Sequence, residues 1–114
     1  MFAGFPTQTE MEEPLLKAII ALSGGSGGIC VETQGDELES DLADRFRLTQ
    51  AQRELEDPTN HAKGHRYWRN HVQMVRRKLV AKGDLAKSSR GYWRVTEAGY
   101  RRCNIPHPLP STRP

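Results

Sequence analysis

Between His65 and Lys82 the chain carries its longest unbroken helical pattern, and this pattern holds two stripes of opposite chemistry at one spacing. Trp68, Val72, Val75 and Leu79 recur at i, i+4, i+7 and i+11, which at about 100° per residue gathers them on a single side. Arg66, Asn70, Gln73 and Arg77 repeat that spacing about 200° away. A helix divided in this way must rest one face on a core and leave the other open, so it belongs on the surface of a small packed domain. Arg, Asn and Gln are also the side chains whose donors and acceptors match guanine and adenine edges in the major groove. Arg66, Asn70, Gln73 and Arg77 are therefore candidate base readers, and the flanking Arg69, Arg76 and Lys78 are candidate phosphate contacts. A merely solvated face is the competing reading of each.

The segments around this helix supply a frame for it. Thr7 with Glu10, or Thr9 with Glu12, has the spacing of a capping box, and Leu15, Leu16, Ile19 and Leu22 follow at helical intervals up to about Ser23. Pro14 lacks a backbone donor, so a restart or kink is expected there. After the loop Ser23-Gly24-Gly25-Ser26-Gly27-Gly28, the run Ile29, Cys30, Val31 and Thr33 predicts a strand bounded by Gly28 and Gly35. Asp36 to Phe46 predicts a second helix, with Leu38, Leu42 and Phe46 inward and Asp36, Glu37, Glu39 and Asp41 suited to the positive end of its dipole. Thr49 with Gln52 caps a third, short helix through Leu55, closed by the turn residues Asp57-Pro58-Thr59-Asn60.

Beyond Gly83, Leu85 to Lys87 and Tyr92 to Val95 predict a hairpin around Ser88-Ser89-Arg90-Gly91. Alternation turns Trp93 and Val95 to one side and Tyr92 and Arg94 to the other, with Lys87 and Arg90 near the tip. Lys87, Arg90 and Arg94 join the candidate phosphate contacts, while Trp68 and Trp93, both on apolar faces, are assigned to packing. Thr96 caps a last short helix containing Ala98, Tyr100 and Cys103. The fold class expected from this order is α+β and mainly α: a winged helix-turn-helix with a small antiparallel sheet and a wing hairpin. Residues 1–103 form the domain, and the Pro-rich residues 104–114 read as a tail or linker.

Charge narrows the function. Residues 1–60 hold 4 Lys and Arg against 12 Asp and Glu, a net of −8, and residues 61–114 hold 13 against 2, a net of +11. A basic half of this density calls for a polyanion, nucleic acid first and an anionic membrane surface second. At 36% apolar residues, with no apolar run near the roughly 18 residues of a membrane span, no spanning segment is expected. The first residues lack the basic and apolar regions of a secretory signal, so a cytoplasmic location is expected. Cys30 and Cys103 are then free thiols. His61 and His65 have an H-x3-H spacing, but Gly64 interrupts any helix between them and neither cysteine sits in a C-x2-C knuckle, so no metal site is expected. Acidic residues beside His71 are the only raw material for catalysis, and no nucleophile and base constellation is legible; no enzyme activity, cofactor or small-molecule substrate is expected.

Three blocks of residues point further. They are Pro6-Thr7 with Pro14-Leu15-Leu16; Phe46-Arg47-Leu48-Thr49; and Asn70-x-Val72-x3-Arg76-x2-Leu79-x3-Gly83 leading into Arg90-Gly91-x-Trp93-Arg94-Val95-Thr96-x2-Gly99. On these blocks the chain resembles the amino-terminal domain of the Mrr restriction proteins from Pro6 to Gly99. It departs from that pattern in its Gly-rich loop and in Met74, where an aromatic residue is usual. The resemblance implies a winged-helix module for double-stranded DNA, commonly joined to a separate nuclease that cuts modified foreign DNA. The sequence holds no Asp followed by a Glu-x-Lys arrangement that would carry such a nuclease's magnesium. Methylated or otherwise modified DNA is the sharper expectation, with Val80 and Met74 the only residues of the basic helix able to touch a pyrimidine C5 methyl. The alternative from another class is a protein-interaction or dimerisation module, with a homodimer formed through the acidic helix or the wings.

Overall fold

The computed structural model describes residues 5–56, 66–87 and 91–106. Its elements are α1 (Gln8–Leu22), β1 (Gly28–Cys30), α2 (Val31–Arg45), α3 (Gln50–Glu54), α4 (Tyr67–Lys82), β2 (Tyr92–Arg94) and α5 (Glu97–Arg102). Helices dominate and the sheet is small and antiparallel, an α+β, mainly α chain in winged-helix-like order.

α1 opens on the first of the two expected capping boxes. The Glu10 amide donates to Thr7 Oγ1 at 3.1 Å and the Thr7 amide donates to Glu10 Oε1 at 2.8 Å. Of the restart or kink expected at Pro14, the restart does not occur: one helix runs through the proline. The lost donor is offset by burial on both sides of the proline: Met11, Leu15, Leu16, Ala18 and Ile19 are fully buried. Ser23 ends the helix, its amide donating to Ile19 O and its hydroxyl to Ile20 O.

The β-prone run from Ile29 to Thr33 divides differently from its expected span. The strand stops at Cys30, and α2 starts at Val31 rather than Asp36. Two contacts set this boundary. The Val31 amide donates to Gly91 O at 2.6 Å, ending the strand, and Gly35 lies so close to Val31 that a Cβ there would stand 2.9 Å from Val31 Cγ1. Val31 and Thr33 therefore turn helical against their local preference. α2 then buries Leu38, Leu42 and Ala43. α3 is capped as expected, with the Thr49 and Gln52 side chains each accepting from the other's amide. The Tyr67 amide donates to Leu55 O at 2.8 Å, bringing the end of α3 to the start of α4. The expected turn at 57–60, along with His61 and His65, lies outside the described residues.

α4 buries Trp68, Val72, Val75 and Leu79, the four apolar residues of its pattern. Gly83 caps it at φ 86°, in the left-handed region that glycine tolerates. β2 pairs with β1, Ile29 standing opposite Trp93 with both side chains in the core. The expected hairpin arm Leu85 to Lys87 is reduced to one bridge, Leu85 to Val95, with the Ala86 amide donating to Arg94 O at 2.8 Å. Thr96 limits the arm: its amide donates to Asp84 O and its hydroxyl to Gly83 O, clamping the chain just before it. Thr96 then caps α5 through the Gly99 amide.

Candidate nucleic-acid interface

Burial of one α4 face fixes where the other points. Trp68 is the pin: its Nε1 donates to Glu39 O at 3.0 Å, setting α4 against α2. Opposite the buried stripe, Arg77 is exposed, Asn70 and Gln73 are half-buried, and Arg66 is the exposed residue that precedes the first turn of α4. Asn70, Gln73 and Arg77 thus share one face of α4, while Arg66 stands just outside the helix on extended backbone.

The expected phosphate contacts do not behave as a set. Arg69 is held by α2, its Nε donating to Glu39 Oε2 at 2.8 Å and its Nη2 to Asp36 Oδ1 at 2.9 Å. The hydrogen bond to Glu39 is the main cause of a raised guanidinium pKa, helped by the charges of Glu39 and Asp36 and opposed by burial. Arg76 lies on the same flank, its guanidinium carbon 5.4 Å from the centre of the Trp93 ring. Lys78 lies on the other flank, one turn from Met74 and one from Lys82, whose side chains meet Gln8 and Glu12 of α1. Lys87 and Arg94 are exposed on the wing, and Arg90 lies outside the described residues.

Two recesses border α4. At its amino-terminal end a polar cleft is lined by Asp36, Glu39, Gln50, Arg53, Arg66 and Arg69. Further along, a groove of about 350 Å³ runs between α4 and the wing, lined by Val31, Glu32, Gln73, Arg76, Gly91 and Trp93. Sequence reasoning had missed Asp36 and Glu39 as partners of Arg69, and Glu32 as a neighbour of the basic helix. Their separation from α4 along the chain leaves no local pattern that would expose them.

Among the described residues no helix is long and apolar enough to cross a membrane, and no three His, Cys, Asp or Glu side chains gather as a metal site would require. Comparison with curated proteins and with solved structures gives no match to the chain. The family model of the Mrr N-terminal domain matches residues 9–104, a span that takes in the helices and strands of the described residues but for the first residue of α1. On this match over most of its length, the chain belongs to the Mrr N-terminal domain family.

Proposed function

We propose that this chain is a double-stranded DNA-binding winged-helix module, the target-recognition domain of a Mrr-like restriction system. In this reading α4 enters the major groove and any cutting is done by a separate domain. The observation that carries the reading is the division of α4: four apolar residues buried on one side, and Asn70, Gln73 and Arg77 on the other, with the exposed Arg66 just before the first turn. Lys78 on α4 and Lys87 and Arg94 on the wing supply cations for the phosphates beside the groove. A target carrying a methylated or otherwise modified base accords with the restriction-protein family, and half-buried Val80 is the apolar residue of α4 nearest its polar stripe.

Fluorescence anisotropy with a labelled duplex tests this. Changing Arg77 and Lys78 together to alanine should weaken binding at least tenfold. Lys17→Ala, on exposed α1 near Cys103, should leave binding unchanged. Equal binding by all three proteins would contradict the placement of α4.

A further inference from the structure

The groove between α4 and the wing mixes chemistries that a phosphate slot would not. The Arg76 guanidinium lies over the ring of buried Trp93, and the Arg76 side chain is half-buried and lines the groove. Across the groove stands Glu32, exposed in the first turn of α2. Among the described residues, Glu32 and Gln73 have no side-chain partner and Arg76 has only the ring contact. A phosphodiester entering here would meet a carboxylate, and the like charges would repel. The edge of a base pair meets no such penalty. In the major groove an arginine donates to guanine O6 and N7, and a carboxylate accepts from the amino group at cytosine N4. Those two edges lie side by side in one C·G pair.

We propose that this groove reads a single C·G base pair, with Arg76 donating to the guanine and Glu32 accepting from the cytosine amino group. The inference rests on the DNA-binding reading and makes Arg76 a base reader rather than a phosphate contact. Gln73 lines the groove and also belongs to the polar stripe of α4, so the pair read here is adjacent to the one read by the stripe. The opposite effects of a carboxylate on phosphates and on cytosine make the idea testable. If Glu32 only serves the dipole of α2, its removal relieves repulsion and tightens binding to every duplex alike.

The test is selection of duplexes from a randomised pool by the full chain, followed by affinity measurement on the selected duplex and on versions changed at single base pairs. The unaltered protein should require C·G at one position, with a loss of about tenfold or more for any other pair there. Glu32→Ala should abolish that preference, and the isosteric Glu32→Gln, which keeps an accepting oxygen but loses the charge, should weaken it, while preferences at other positions and the salt dependence persist. Arg76→Gln should do the same through the guanine. A Glu32→Ala protein that keeps the C·G preference and binds all duplexes more tightly would overturn the inference and leave the DNA-binding reading standing. So would an unaltered protein that binds duplexes without any preference at the groove. Failure of the unaltered chain to bind duplex at all would overturn both.

Discussion

Glu12 is the residue that most tests the electrostatics of this fold. Its side chain is 2% exposed and lies between Lys82 Nζ, at 2.8 and 3.0 Å, and Arg102 Nη2, at 2.6 Å. Arg102 reaches on to Asp84 Oδ2 at 2.7 Å, so α1, the end of α4 and α5 meet at one cluster. Burial is the largest influence on the Glu12 carboxyl and pushes its pKa up. The hydrogen bonds from Lys82 and Arg102, with their charges, together outweigh it and hold the pKa below the ordinary 4.5. A carboxyl depressed on folding stabilises fully above its unfolded value, and that contribution disappears as pH falls through the lower folded value. Glu12→Gln should therefore lower stability in urea unfolding by about 2 kcal/mol at neutral pH, less than a fully buried pair because Lys82 is half exposed. The deficit should shrink once pH drops below 4.5, and a constant deficit would contradict the cluster's role. In the sequence Glu12 is legible only as the end of an alternative capping box. Its partners stand 70 and 90 residues away, and no periodicity links them.

At the scale of elements, α2 and α4 are tied by charge as well as by packing. Asp36 and Glu39 hold Arg69, and the neighbouring Trp68 indole donates to the backbone carbonyl of the same Glu39. The carboxylates occupy the arginine that a DNA backbone on this flank would need. Asp36→Asn combined with Glu39→Gln should release Arg69 and remove two negative charges beside α4, strengthening duplex binding by roughly threefold to tenfold at a cost of about 1 kcal/mol in unfolding stability, since Asp36 is exposed and Glu39 only partly buried. Competition binding checks this; weaker binding would show that the pairs orient α4 instead. Helix periodicity and capping signals were enough to read α1, α3, α4 and α5 from sequence, because their apolar spacing and Thr caps are local. The boundary between β1 and α2 was not legible, since Val31 favours a strand by itself and becomes helical only through its contacts with Gly91 and Gly35. In the wing the strand was legible, but β2 takes its partner from β1, far back in the chain.

For the whole molecule, the segregation of charge along the chain is partly undone by folding. The acidic half supplies partners to the basic half: Glu12 to Lys82 and Arg102, and Asp36 and Glu39 to Arg69. The cations so engaged are not at hand for phosphates. The excess exposed on α4 and the wing is therefore smaller than the net of +11 for residues 61–114, and includes Arg66, Arg77, Lys78, Lys87 and Arg94. Among the described residues of this surface, these five cations are the ones open to phosphates and so to counterion release. Each neutralised phosphate contributes about −0.9 to the slope of log K against log salt. The most direct test of the account is that slope for the unaltered chain on a short duplex. A value of about −4.5 is predicted from these five cations, and a slope near zero, or no binding at low salt, would contradict the assignment of α4 and the wing as a DNA surface.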